Sequence, residues 1–168
     1  MSPISFAPAM RYFAPQQTVT QNVQRTQAIQ HVTFGQSKPN QNVLLFVDDD
    51  PAQKAIFGAI LAPNLKNTQI KYATNAQSAL NIIKQGGITH LLTDVNMGNP
   101  TQTGFWLVEQ VNQMNKALQP SNILINSDKK DKTYQQRASK LGAAFIQKPM
   151  DVNDYQNEYP QLLNIQLN

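Results

Sequence analysis

Four short apolar runs of this chain each end on a polar residue, and this pattern constrains the fold more than any other feature. The runs end at Asp48-Asp49, at Asp94, at Ser127 and at Lys148. An apolar run of about four to six residues closed by a polar residue is typical of a buried parallel strand. Because ligands bind at the carboxyl ends of the strands in an open parallel sheet, these side chains are expected at one edge. Acids, a hydroxyl and an ammonium there would suit a divalent cation and a phosphoryl group.

From residue 42 onward, strand patterns alternate with helix patterns, which favours a parallel α/β sheet. The predicted strands cover residues 43–47, 69–73, 89–94, 122–126 and 143–147. We therefore expect a flavodoxin-like, doubly wound sheet of five parallel strands in the order 2-1-3-4-5.

The first and last helices carry the most specific predictions. The first runs from Pro51 to about Leu61, with Asp50 as its N-cap and proline at its first position. The last helix is predicted to be interrupted, because Pro160 lies within residues 155–163 and proline breaks helix interiors. The apolar stripe of the first helix, expected to face the core, consists of Ala52, Ala55, Ile56, Ala59 and Ile60.

Residues 1–41 differ in composition from the rest of the chain. They contain four prolines, polar runs rich in glutamine, three basic residues and no acid. Their apolar residues are too sparse to form a core, so we predict a disordered polar extension at 1–41 and one folded domain at 42–168. A short docking segment is the alternative for the extension, since its apolar residues cluster near the start, at Ile4, Phe6, Met10, Tyr12 and Phe13.

Composition also disfavours several partners and sites. No stretch approaches the roughly eighteen consecutive apolar residues of a membrane span, so no membrane is expected. The predicted domain carries eleven basic and ten acidic residues without a basic cluster, so no nucleic acid is expected. The absence of cysteine excludes disulfide and thiolate chemistry and fits a reducing, cytoplasmic location. His31 and His90 have no predicted partner and are expected to be structural or solvated.

The order and spacing of the four polar runs resemble the response-regulator receiver domain of two-component signalling, over residues 42 to about 165. Asp48-Asp49 match the metal-binding acids of that family, and Asp94 matches its phosphoacceptor aspartate. Lys148-Pro149 match its invariant Lys-Pro pair.

Further matches concern the residues that change conformation in the family. Ser127 matches the switch hydroxyl after the fourth strand, with Asn126 as the alternative switch position. Phe145 matches the switch aromatic, three residues before Lys148. Gly98 departs from the family, which usually has a proline there.

The resemblance implies a phosphorylation site that depends on Mg²⁺. Asp49, Asp94 and the backbone carbonyl of Asn96 would bind the ion, and Asp48 would act largely through water. Asp94 would accept a phosphoryl group from a histidine kinase or a histidine phosphotransfer protein. Lys148 would neutralise Asp94 and then pair with a phosphoryl oxygen. The product would be an acyl phosphate.

The expected protein is a stand-alone receiver and not an enzyme, apart from slow autodephosphorylation. Its output would be the binding of a partner protein that the sequence does not identify. One alternative is a degenerate receiver that acts as an unphosphorylated interaction module. Another is a phosphatase of the haloacid dehalogenase type, with Asp48 and Asp50 as nucleophile and acid, although Pro51 follows the second of these directly.

Overall fold

A computed structural model describes residues 41–129, 131–148 and 151–168. The predicted extension therefore lies outside the described residues, except for Gln41, and so does Pro149. The division into an extension and a domain stays a prediction.

Five parallel strands form one sheet in the order β2-β1-β3-β4-β5. The predicted flavodoxin-like fold and strand order are thereby confirmed. Because the strands are parallel and in close register, the carboxyl ends of β1, β3, β4 and β5 meet at one edge. The strands are β1 Asn42–Val47, β2 Thr68–Ala73, β3 His90–Asp94, β4 Asn122–Ser127 and β5 Ala144–Gln147.

Helices connect the strands, and among the described residues none is long and apolar enough to cross a membrane. All five α-helices of the described residues begin after a polar residue whose side chain accepts a backbone N–H of the first turn, namely Asp50, Asn75, Thr103, Asp131 and Asp151. The helices are α1 Pro51–Ile60, α2 Ala76–Lys84, α3 Gly104–Asn112, α4 Lys132–Lys140 and α5 Val152–Leu163.

Apolar side chains form one core on each face of the sheet. The first core lies under α2, α3 and α4 and receives Leu45 and Leu91 from the strands. The second lies under α1 and α5 and receives Leu44 and Leu92. Successive residues of a strand point to opposite faces. Each strand therefore contributes to both cores. Residues separated by an even number of positions along a strand lie on the same face, and we refer to this as the parity of a position.

The predicted inward stripe of α1 is wrong except for Ile60, which is partly buried against the second core. Phe57 is the buried residue of this helix, and Leu61, which follows it, is also buried. Ile56 is 37% exposed, and three alanines share its exposed surface. A phenylalanine buries far more apolar area than any single alanine, and the side of α1 that carries Phe57 faces the core. The exposed positions are Ala52, Ala55, Ile56 and Ala59.

The predicted interruption of the last helix is also wrong, because α5 continues through Pro160. The proline removes one helical N–H, but Tyr159 and Leu163 on either side of it are fully buried in the second core. Packing of this face offsets the lost hydrogen bond and keeps the helix continuous.

Candidate functional site

Three consecutive aspartates at the end of β1 have three different environments. Asp48 is buried, and its Oδ1 accepts the backbone N–H of Asp50 at 3.0 Å. Asp50 in turn caps α1, since its Oδ1 accepts the N–H of Ala52 at 2.8 Å. Asp49 is exposed and belongs to the acidic cluster described below. The prediction that Asp50 serves as a helix cap is confirmed.

Asp94 ends the central strand β3 and lies beside these acids. Its Oδ2 accepts the backbone N–H of Asn96 at 3.2 Å, and the side chain is buried. One carboxylate oxygen from each of Asp48, Asp49 and Asp94 lies within 4.8 Å of the others. A set of carboxylate oxygens at this spacing suits a hard divalent cation such as Mg²⁺.

Lys148 supplies a positive charge to the same cluster. Its Nζ lies 3.0 Å from Asp48 Oδ2 and 3.4 Å from Asp94 Oδ1. The backbone N–H of Lys148 donates to the carbonyl of Ser127 at 2.8 Å, so the chain after β5 stays attached to β4. From this position the side chain crosses β4 to reach acids on β1 and β3. The structure therefore brings together Asp48, Asp49, Asp94 and Lys148.

Burial raises the pKa values of the two buried acids, because removal from water disfavours their charged form. It raises the pKa of Asp94 to about 6, against the opposing effect of the Lys148 ammonium. It also raises the pKa of Asp48. Burial alone would lower the pKa of Lys148, but the carboxylates of Asp94 and Asp48 outweigh it and raise the pKa. A cation bound beside the acids would therefore stabilise their charged forms.

Two glycines shape the loop between β3 and α3. Gly98 has a φ of +68°, a left-handed conformation that glycine adopts without strain, and it approaches Asp49 closely. Gly104, the first residue of α3, packs so tightly on the carbonyl of Asp94 that a Cβ there would overlap it. The start of α3 therefore rests directly on the end of β3.

The two candidate switch positions point to different faces of the sheet. Ser127 is fully buried, and its Oγ accepts the N–H of Lys129 at 3.3 Å. Asn126 has the parity of the second core, and its Nδ2 donates to the Tyr159 hydroxyl at 3.1 Å. The assignment of Ser127 as the switch residue stays a prediction. Asn126, the alternative, is hydrogen-bonded to Tyr159 of α5.

Phe145 is half-buried on β5 beside α4. Its ring lies edge-on to that of Tyr134, with centroids 6.3 Å apart, and Tyr134 contacts Phe105 in the same way at 5.3 Å. These rings connect β5 to the start of α3. The predicted role of Phe145 as a switch aromatic is not decided by this contact.

The sequence did not predict the tyrosines of α5 that lie below the site. Tyr155 and Tyr159 stack with ring centroids 5.1 Å apart, and the Tyr155 hydroxyl donates to Gln53 Oε1 at 2.8 Å. Burial raises the pKa of both hydroxyls. Their spacing of four residues, one turn of a helix, was the available signal for a shared buried face.

His90 is not without partners, contrary to prediction. It is buried at the start of β3, with Nδ1 2.7 Å from Thr89 Oγ1 and Nε2 3.1 Å from Asn122 Nδ2. An amide nitrogen can only donate, so Nε2 is the acceptor and the ring is neutral. Burial lowers the pKa of His90, which agrees with this assignment. The residue is structural and lies at the opposite end of the sheet from the acids.

Comparisons with solved structures reproduce the fold at low identity. Chemotaxis protein CheY4 of Vibrio cholerae is 21% identical, with a TM-score of 0.62 over 73% of this chain and 99% of that one. A second similar structure is the co-crystal structure of the Saccharomyces cerevisiae histidine phosphotransfer protein Ypd1 with the receiver domain of the response regulator Ssk1. It is 20% identical, with a TM-score of 0.60 over 74% of this chain and 90% of that one. A Burkholderia pseudomallei response regulator with a phosphorylated aspartic acid and a calcium ion is 19% identical, with a TM-score of 0.58 over 73% of this chain and 66% of that one.

A search of curated proteins gave no match. The family model of the response regulator receiver domain matches residues 44–159, which include every member of the acidic cluster and Lys148. Fold, strand order and family model agree. The chain therefore belongs to the response regulator receiver domain family.

Proposed function

We propose that this protein is a phosphorylatable receiver that accepts a phosphoryl group on Asp94. The observation that carries the proposal is the position of the Asp94 carboxylate at the end of the central strand. Two further acids lie within 4.8 Å of it, and the Lys148 ammonium lies 3.4 Å away. Phosphoryl transfer depends mainly on positioning and on charge neutralisation, and this arrangement can provide both.

Mg²⁺ is the cofactor proposed for this site. The acidic cluster offers only oxygen ligands, and because burial raises the pKa values of Asp94 and Asp48, a bound cation would favour their charged forms. Following the family, Asp49, Asp94 and the backbone carbonyl of Asn96 would hold the ion, and Asp48 would act largely through water. When bound, Mg²⁺ would supply positive charge that neutralises the acids and the incoming phosphoryl group.

The side chains of this chain would then have distinct roles. An oxygen of Asp94 attacks the phosphorus of a phosphohistidine, and the P–O bond forms as the P–N bond breaks. The imidazole nitrogen leaves with the electron pair of that bond and takes up a proton. Lys148 pairs with an oxygen of the transferred group, and the Ser127 hydroxyl donates to another. Phe145 would follow the movement of the Ser127 loop.

The proposed donors are a histidine kinase or a histidine phosphotransfer protein. The exposed apolar positions of α1, from Ala52 to Ala59, begin one turn beyond Asp49, so a protein whose histidine reaches Asp94 would cover them. The yeast neighbour in its complex with a histidine phosphotransfer protein supports this kind of partner. We also propose that output follows from binding a second protein in the cytoplasm, without nucleic acid, and that the only catalysis is slow autodephosphorylation.

The test is phosphorylation of the purified protein by phosphoramidate with Mg²⁺, followed by intact mass. Wild type should gain one phosphoryl group that hydroxylamine removes, as expected for an acyl phosphate. Asp94→Asn should gain none. Asp50→Asn is the matched control, because asparagine also caps helices and labelling should persist.

The other outcomes distinguish the alternatives. Full labelling of Asp94→Asn, or phosphate that resists hydroxylamine, would contradict Asp94 as the acceptor. A wild type that takes up no phosphate under any donor would favour the degenerate receiver. Membership of the receiver family leaves the haloacid dehalogenase alternative without support, and the Asp50 side chain is already committed to capping α1.

A further inference from the structure

Asp48, Asp94 and Asn126 form one row across three neighbouring strands. Val47 pairs with Thr93, so Asp48 follows at the level of Asp94, and Asp94 itself pairs with Asn126. All three have the parity of Leu44, Leu92 and Leu124, and therefore point to the face covered by α1 and α5. Neighbouring strands are about 4.8 Å apart, so these side chains are direct neighbours.

The Lys148 ammonium contacts two members of this row, at 3.0 Å from Asp48 and 3.4 Å from Asp94. Lys148 comes from the far side of β4, so its side chain has to pass the strand that carries Asn126. An ammonium has three N–H donors. Ion pairs with the two acids account for two of them, and Asn126, which pairs with Asp94 on the adjacent strand, is the third member of the row on this face.

Asn126 is unusual because half of its amide is unsatisfied. The residue is 3% exposed, and its Nδ2 donates to the Tyr159 hydroxyl. Among the described residues, its Oδ1 has no hydrogen-bond partner. A buried acceptor without a partner is costly, which favours any state of the protein that supplies a donor.

Tyr159 fixes the orientation of that amide. Its ring is fully buried and stacks on Tyr155, whose hydroxyl is bound to Gln53 of α1. By holding Nδ2 from the α5 side, Tyr159 leaves Oδ1 as the free end of the amide.

We propose that Asn126, oriented by Tyr159, is a positioning residue for Lys148 and accepts its third N–H while the phosphoryl group is transferred to Asp94. This inference rests on the proposed function. Transfer converts the Asp94 carboxylate into the neutral acyl group of a mixed anhydride, so the ammonium loses one charged acceptor and moves toward the phosphoryl oxygens. Asn126 Oδ1 then holds the ammonium on its path, while Asp48 remains its anionic partner.

The test uses a variant that should fold, the double substitution Asn126→Leu with Tyr159→Phe. Replacing both partners of a buried hydrogen bond with apolar groups of similar shape is nearly neutral for stability. We expect an unchanged unfolding midpoint and an unchanged Mg²⁺ dissociation constant. The phosphorylation rate with phosphoramidate should fall about tenfold, the effect of one hydrogen bond to a charged group. Tyr159→Phe alone should have a smaller effect in the same direction.

A cycle with Lys148→Met separates positioning from a general structural role. If Asn126 acts through Lys148, the double substitution should not slow labelling further in that background. An equal slowing with and without Lys148 would overturn the proposal, and so would a wild-type rate in the double variant. Absence of label in wild type would instead overturn the proposed function, and this inference with it.

Discussion

The two ends of β3 bury one titratable group each, and burial shifts their pKa values in opposite directions. His90 at the amino end has a lowered pKa, whereas the pKa of Asp94 at the carboxyl end rises to about 6. The cause is the same in both cases, because removal from water disfavours whichever form is charged.

The two ends differ in how they satisfy these groups. His90 accepts a hydrogen bond from Asn122 and donates one to Thr89, so the amino end needs no charge. Asp94 faces the Lys148 ammonium and two further acids, so the carboxyl end keeps charges that one cation does not balance. One end of the sheet is therefore stabilised by neutral hydrogen bonds, and the other tolerates unfavourable electrostatics at a site suited to binding a cation.

The largest effect is expected from breaking the close packing at the carboxyl end with Gly104→Ala. The added Cβ would overlap the carbonyl of Asp94, and backbone cannot move aside as a flexible side chain can. The free energy of unfolding should fall by about 3 kcal/mol, the upper part of the range for overpacking, as measured by urea denaturation.

The matched control is Gly58→Ala in α1, where the nearest atom to the new Cβ is the Tyr72 hydroxyl oxygen at 3.8 Å. This variant should be unchanged or gain about 0.5–1 kcal/mol, because alanine is the better helix former. Equal destabilisation of the two variants would contradict the role of Gly104.

The second effect concerns unbalanced charge at the carboxyl end. Without Mg²⁺ at pH 7, Asp94→Asn should raise the free energy of unfolding by roughly 2 kcal/mol, because the buried carboxylate is replaced by a neutral group of the same shape. The gain should shrink as the pH falls below about 6, where the folded wild type takes up the proton first, and vanish below 3.8. A loss of stability in this variant at neutral pH would show that the ion pair with Lys148 dominates.

The third effect is competition between protons and Mg²⁺ at the same end. Because the pKa of Asp94 is raised to about 6, the carboxylate predominates only above that pH. Below it, the Mg²⁺ dissociation constant measured by calorimetry should rise by up to about tenfold per pH unit. Asp50→Asn should follow the wild-type profile. Affinity that stays constant from about pH 7 to pH 5 would argue against Asp94 as a ligand.

The smallest effect is expected at the amino end. Since the pKa of His90 is lowered from 6.5, the unfolded chain takes up that proton first, and stability is lost as the pH falls below 6.5. In the Asp94→Asn background, His90→Gln should flatten this loss, measured by urea denaturation between about pH 7 and pH 5. His31→Gln is the control, and an equal flattening there would contradict the assignment to His90.

The sequence predicted much of the fold because each strand carries its own signal. The five predicted strands are present in the predicted order. Asp50 and Pro51 placed the start of α1 correctly, since capping depends on neighbouring residues. The residues at the strand ends were also predictable, because in a parallel sheet they meet at one edge wherever the strands lie.

Predictions failed where packing between distant residues decided the outcome. The alanines of α1 have a helical period, but Phe57 competes for the same core and displaced them. Pro160 opposes a helix locally, yet the burial of Tyr159 and Leu163 against the sheet outweighs it. Neither packing effect can be predicted from a short stretch of sequence, because both depend on contacts with distant parts of the chain.

The strands, their parallel arrangement and the acids, hydroxyl and lysine at their ends could be predicted from the chain alone, because they follow from periodicity and local capping. The partner of each polar group could be found only from the folded structure. Lys148 lies between Asp48 and Asp94, and Asn126 is bound to Tyr159 on a helix 33 residues further along the chain. Such contacts depend on strand register and helix rotation, and burial then gives them their effect by removing water as the competing partner.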